Sequence, residues 1–128
     1  MVPLSKSLLI VDDNTYMRRA LSRLFARETD FAVCAEAQNG KEAIEKAKEL
    51  KPDLVVMDLS MPVMNGLEAT RLLKRLMPTL PVILFSEYSS AITPEEAHSA
   101  GVAALVSKAQ HATTLVRAAR DLLDHTVA

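Results

Sequence analysis

Three aspartates, a serine and a lysine stand where this chain can do chemistry. Asp58 closes the apolar run Leu54-Val55-Val56-Met57 and opens the loop Leu59-Ser60-Met61-Pro62-Val63-Met64-Asn65-Gly66. Asp12 and Asp13 close Leu8-Leu9-Ile10-Val11, and Ser86 closes Val82-Ile83-Leu84-Phe85. Lys108 follows Val102-Ala103-Ala104-Leu105-Val106-Ser107. Short apolar runs of this kind read as buried strands, and open α/β sheets bind ligands beyond the carboxyl ends of their strands. Three carboxylates brought together repel one another unless a cation neutralises them. Hard oxygen donors of high negative charge select Mg2+ or a similar divalent ion such as Mn2+. A carboxylate beside such an ion can attack a phosphoryl group and form an acyl phosphate. The Lys108 ammonium and the Ser86 hydroxyl would then meet the phosphoryl oxygens, because phosphoryl transfer needs mainly positioning and charge stabilisation.

Taken singly, each residue has a plainer reading. Asp12-Asp13 ahead of a helix reads as a capping pair, Asp58 as a loop residue, Lys108 as a solvated cation and Ser86 as a strand-end hydroxyl. Four such coincidences at the ends of four strands are what argue for one site. His98 and His111 belong to no ligand-spaced cluster and read as surface residues. Met57, Met61, Met64 and Met77 read as packing, not as a cofactor box.

The elements that must position these residues alternate. Ser7 to Val11 reads as strand one, and Thr15 to Glu28 as a helix with Met17, Leu21, Leu24 and Phe25 on one stripe. Phe31, Val33 and Ala35 give a second strand nearer the sheet edge. Asn39-Gly40 breaks the chain before a helix whose inner face is Ala43, Ile44, Ala47 and Leu50, and Pro52 stops it. Leu54 to Met57 is strand three. Asn65 caps a third helix with the stripe Leu72, Leu73 and Leu76, ended by Pro78. Pro81 opens strand four. Thr93-Pro94-Glu95-Glu96 is a capping box with proline at the first helical position, and Gly101 closes that helix. Strand five follows, then a last helix from about Ala112 carrying Leu115, Val116, Ala119, Leu122 and Leu123. The pattern is (βα)5: an α/β, doubly wound parallel sheet covered on both faces, with every carboxyl end on one rim.

A chain of 128 residues suffices for one core, so residues 1–128 are expected to form a single domain. A net charge of −1 recruits neither nucleic acid nor an anionic membrane. Cys34 is the only cysteine, which excludes an intramolecular disulfide; inside an apolar stretch it reads as a buried, inert thiol. No apolar run approaches the roughly 18 residues that span a bilayer, and the start is too short and polar for a signal sequence. The expected location is the cytoplasm.

Leu9-Ile10-Val11-Asp12-Asp13, the Asp58-to-Gly66 loop, Ser86 after one strand and Lys108 after another resemble the receiver domain of bacterial two-component response regulators. The resemblance covers nearly the whole chain and is nearest to receivers that often carry a helix-turn-helix output domain. It implies a flavodoxin-like sheet in the order 2-1-3-4-5. It implies that Asp58 accepts a phosphoryl group from a phosphohistidine on a sensor histidine kinase or phosphotransfer protein. Asp13, Asp58 and the backbone carbonyl of Ser60 would bind Mg2+ directly, with Asp12 acting through water. Ser86 and Lys108 would contact the phosphoryl oxygens, and Ser86 would throw a switch in the face made by the fourth helix, fifth strand and last helix. The same face admits a homodimer. Such a chain assists its own phosphorylation and dephosphorylation but turns over no separate substrate.

Three departures stand out. Leu105 occupies the switch position that the family usually gives to an aromatic ring; it reads as strand core and predicts an altered output switch, with Tyr88 as a substitute ring. Glu87 lies at the pocket mouth, where the family usually has a small residue. Ala109 replaces the proline that usually follows the lysine, so a trans bond is expected. The competing reading is a pseudo-receiver, the same fold used as a phosphorylation-independent docking module. A haloacid-dehalogenase-like phosphohydrolase would need a second aspartate at position 60, which is Ser60. A flavin-binding domain would need a phosphate loop after strand one.

Overall fold

The computed structural model describes residues 5–87 and 92–124. Along the chain, β1 (Lys6–Val11) leads to α1 (Thr15–Ala26), β2 (Phe31–Ala37) to α2 (Gly40–Leu50), and β3 (Leu54–Met57) to α3 (Gly66–Leu76). Then come β4 (Val82–Ser86), α4 (Pro94–Ala100), β5 (Ala104–Ser107) and α5 (Ala112–Asp124). The strands pair in parallel in the order β2-β1-β3-β4-β5, the doubly wound, flavodoxin-like order expected.

Strand side chains alternate between the two faces of a sheet, and both faces here are apolar. Leu8, Ile10, Leu54, Val56, Ile83 and Phe85 pack with Leu21 and Phe25 of α1 and Leu115 and Ala119 of α5. Leu9, Val11, Val55, Met57, Val82 and Leu84 pack with Ala43 and Ala47 of α2, Ala69 and Leu73 of α3, and Ala97 of α4. Every residue of β3 and β4 is buried. Each large side chain so removed from water contributes about 1.5–3 kcal/mol, and this continuous burial makes the strand ends a rigid platform.

Helix starts are fixed by side-chain caps. The Oδ1 atoms of Asn14, Asn39 and Asn65 accept the N–H groups of Met17, Glu42 and Glu68 at 3.0, 2.8 and 2.9 Å. A cap of this type contributes about 1 kcal/mol. Thr93 and Glu96 form the expected capping box. Gly101 ends α4 at φ 94, where a side chain would be strained and its Cβ would meet Lys74 Cγ at 2.7 Å. Because Asn14 caps α1, Asp12 and Asp13 do not; Asp12 Oδ1 instead accepts the Asn14 N–H at 2.9 Å.

Several packing expectations need correction. Leu50, Leu72 and Leu76 are exposed. The inner face of α3 is Gly66, Ala69, Thr70 and Leu73, small residues that bring the helix close to the sheet. Thr70 satisfies its hydroxyl by donating to the Gly66 carbonyl at 2.7 Å. Cys34 is exposed, because edge strand β2 turns alternate residues away from the core. Helix α1 ends at Ala26, short of Glu28. His98 and His111 are exposed as expected, Met57 is buried, and Met61, Met64 and Met77 pack partly buried against the core. The absence of cis peptide bonds among the described residues agrees with the trans expectation at Ala109.

Candidate functional site

Strand register assembles the site. Val11 lies opposite Met57 across β1 and β3, so Asp12 and Asp58 leave the sheet side by side, and the Asp58 N–H donates to the Val11 carbonyl at 2.9 Å. Ser86 lies opposite Ser107 across β4 and β5, and the Lys108 N–H donates to the Ser86 carbonyl at 2.8 Å. From the end of the edge strand, Lys108 reaches back across the sheet. Its Nζ donates to Asp12 Oδ2 at 2.9 Å and stands 3.5 Å from Asp58 Oδ1. The same ammonium lies 5.9 Å from the centre of the Phe85 ring.

Asp12, Asp13 and Asp58 each place a carboxylate oxygen within 4.8 Å of the others. Asp12, Asp58 and Ser86 are buried, whereas Asp13 is exposed. A cavity of about 230 Å³ opens among Asp13, Asp58, Ser60, Ser86, Glu87 and Lys108. Burial pushes the Asp58 carboxyl above the usual range, Lys108 opposes this, and the charges of Asp12 and Asp13 reinforce it. Burial alone would lower the Lys108 ammonium, but its hydrogen bond to Asp12 and the charges of Asp12 and Asp58 carry it upward.

Three carboxylates against one ammonium leave two negative charges unmatched. Clustered hard oxygens of that charge fit a divalent cation such as Mg2+ or Mn2+. The fit rests on the donor set: no thiol or imidazole among the described residues shares the cluster.

The other sequence-predicted residues fall as follows. Ser60 is exposed and borders the cavity. Glu87 is exposed on the cavity wall. Leu105 is half-buried, pairs with Leu84 and packs against the core shared by α2, α3 and α4. Tyr88 lies outside the described residues.

Three supporting residues were not anticipated. Gly66 ends the Asp58 loop so close to its start that a Cβ there would sit 2.2 Å from the Asp58 carbonyl oxygen, and its N–H donates to the Leu59 carbonyl at 2.8 Å. Val63 sits at φ 70 inside a three-residue turn closed by Met64 N–H to the Pro62 carbonyl at 2.7 Å. A β-branched residue is strained there. Arg18 on α1 donates from Nη1 to the Asp12 carbonyl at 2.7 Å. Only a glycine at the loop end was a readable signal; the turn and the arginine depend on tertiary geometry.

A family model described as the response regulator receiver domain matches residues 8–120. The chain is 38% identical over 111 residues to the transcriptional regulatory protein LnrK of Bacillus subtilis (strain 168), covering 87% of this chain and 50% of that protein. It is 37% identical over 115 residues to the chemotaxis protein CheY of Thermotoga maritima, covering 90% of this chain and 95% of that one. Among solved structures, a LuxR-family two-component response regulator from Aurantimonas sp. SI85-9A1 matches with a TM-score of 0.90 at 31% identity, covering 94% of this chain and 86% of the other. The chain spans half or less of the length of the first curated relatives it matches. No helix among the described residues is long and apolar enough to cross a membrane. On the family model, these relatives and the shared sheet order, the chain belongs to the response regulator receiver domain family of two-component systems.

Proposed function

We propose that residues 1–128 act as one phosphorylation switch in which Asp58 takes a phosphoryl group from a phosphohistidine on a sensor histidine kinase or phosphotransfer protein. One observation carries the reading: a buried carboxylate at the end of β3 with an ammonium at 3.5 Å and two further carboxylates within 4.8 Å. An Asp58 oxygen attacks phosphorus, the phosphorus–nitrogen bond to the imidazole breaks with its electron pair returning to the ring, and an acyl phosphate forms. Asp13, Asp58 and the Ser60 carbonyl would hold Mg2+ or Mn2+, with Asp12 acting through water. That ion, when bound, supplies charge neutralisation for the phosphoryl oxygens.

The chain's own residues do the rest. Lys108 already faces Asp58 and is free to exchange a carboxylate contact for a phosphoryl oxygen. Ser86 borders the same cavity and offers its hydroxyl to another. A groove of about 440 Å³ along α1 shares Lys108 and Met17 with the acid cavity and adds Phe85, Leu24, Arg23 and Arg27. Those apolar and cationic contacts suit the donor protein that must present its histidine to Asp58. Phosphorylation would shift a pre-existing equilibrium in the α4–β5–α5 surface, which is also the proposed homodimer face. The site of action is the cytoplasm, and this chain itself contacts neither nucleic acid nor membrane.

The test is intact mass after incubation with Mg2+ and a phosphodonor or phosphorylated kinase. Wild type should gain one phosphoryl group that hydroxylamine removes, and Asp58→Asn should gain none. Leu105 at the switch position and Glu87 at the mouth favour the second reading, a docking module of the same fold. An unmodified wild type in the presence of a phosphorylated cognate kinase would select it.

A further inference from the structure

Asp12 and Asp13 are adjacent in sequence, yet only one has a side-chain anchor. Asp12 is held by Lys108 at 2.9 Å and by the Asn14 N–H at 2.9 Å. The Asp13 carboxylate makes no hydrogen bond or ion pair with the described residues, and it is exposed. Its backbone is tied to the site through the peptide unit that joins it to Asp12. The carbonyl of that unit accepts the Arg18 Nη1–H at 2.7 Å. Because the peptide is planar, fixing the Asp12 oxygen fixes the Asp13 nitrogen and the direction in which the Asp13 Cα leaves it.

Arg18 is itself held. Its side chain is 15% exposed, and Nε donates to Glu36 Oε1 at 3.0 Å. Glu36 sits in β2 opposite Ile10 of β1, and its carbonyl accepts Lys46 Nζ of α2. Lys46 also pairs with Glu42 at 3.0 Å. The guanidinium fork thus spans two fixed points, the end of β1 and the end of β2. Residues that orient ligands without touching the ion change its affinity substantially.

We infer that Arg18 is a positioning residue: through the Asp12 carbonyl it sets the Asp13 carboxylate for the divalent cation that phosphoryl transfer to Asp58 requires. The inference rests on the metal-dependent reading of the site given above. Titration calorimetry with Mg2+ alone, alongside thermal unfolding, tests it on wild type, Arg18→Ala, Arg18→Lys, Glu36→Gln and Arg120→Ala. Arg18→Ala should weaken Mg2+ binding on the order of tenfold. Arg18→Lys should recover most of that loss, since an ammonium can reach the carbonyl but cannot fork to Glu36. Glu36→Gln should weaken binding by about threefold and carries the test if Arg18→Ala does not fold. Arg120→Ala removes a different ion-paired arginine, so it should lower stability and leave the Mg2+ affinity unchanged. Wild-type affinity in folded Arg18→Ala, or in Glu36→Gln when that variant stands in for it, would overturn the positioning role alone. Absence of Mg2+ binding by wild type would overturn the metal-dependent reading and this inference with it.

Discussion

Two clusters in this molecule are built from one cation among carboxylates, and they behave in opposite ways. At the turn between α1 and β2, Arg120 of α5 donates to both oxygens of Asp30 at 2.8 and 3.0 Å and pairs with Glu28 at 3.4 Å. The guanidinium also lies 5.5 Å from the centre of the Phe31 ring, which meets Phe25 edge-on. This cluster is open to solvent, with Arg120 41% and Asp30 46% exposed. At the strand ends, Lys108 is 10% exposed and its partners Asp12 and Asp58 are 1% and 10% exposed. The hydrogen bond from Arg120 holds the Asp30 carboxyl below its usual range, whereas burial pushes Asp58 above it. Geometry therefore decides what similar residues do. The exposed fork is a satisfied clasp between α5 and the α1–β2 turn, and the buried cluster holds negative charge that the protein leaves unmatched.

Deleting the cation from each cluster should separate them most sharply. Lys108→Ala strands Asp12 and Asp58 without their buried partner and should cost about 3 kcal/mol in urea denaturation at pH 7 without added metal. Arg120→Ala should cost about 1 kcal/mol or less, because an exposed pair is screened by water and salt. A larger loss at Arg120 than at Lys108 would reverse the comparison.

Charge removal gives the next effect. Folding raises the Asp58 carboxyl, so stability falls as the pH rises above the unfolded-state range, and the loss is complete above the folded-state value. Asp58→Asn should therefore raise Tm at pH 7 by a few degrees, and the gain should shrink as the pH falls towards the unfolded-state range near 4. Asp30 has the opposite sign. Its contribution is present above the unfolded-state range and is lost as the pH falls through its lower folded-state value, so Asp30→Asn should slightly lower Tm at pH 7. Tm against pH for the two variants reads both signs, and curves of the same sign would refute the contrast.

The smallest effect concerns access. Glu87 places a further carboxylate at the cavity wall, where its charge would repel anionic phosphodonors. Acetyl phosphate should label Glu87→Ala a few times faster than wild type. Equal rates would show that the glutamate merely faces solvent.

Local signals carried much of this architecture into the sequence. Pro52, Pro81, Gly101 and the Thr93 capping box act within a few residues of themselves, and the elements they bound are where they were expected. Continuous burial made β3 legible to its last residue. The strand order came from family resemblance, not from periodicity. Helix faces were less legible, because Leu72 and Leu76 look like an inner stripe until Gly66, Ala69 and Thr70 bring α3 down onto the sheet along a different face. Cys34 misled for the same reason: an apolar neighbourhood in sequence became the outer side of an edge strand. At the site, each strand-end residue could be read because the end of a strand is a local feature. Arg18 could not, since its role depends on a contact between a helix side chain and a backbone carbonyl that no spacing announces.

The most direct measurement asks where the phosphoryl group goes. Protein incubated with Mg2+ and a phosphodonor is treated with borohydride, which reduces an aspartyl phosphate to homoserine, and its peptides are read by mass spectrometry. Homoserine should appear at position 58, dependent on the donor, with Asp12 and Asp13 unchanged. Phosphate retained on Ser60, Ser86 or a histidine, with Asp58 intact, would contradict it.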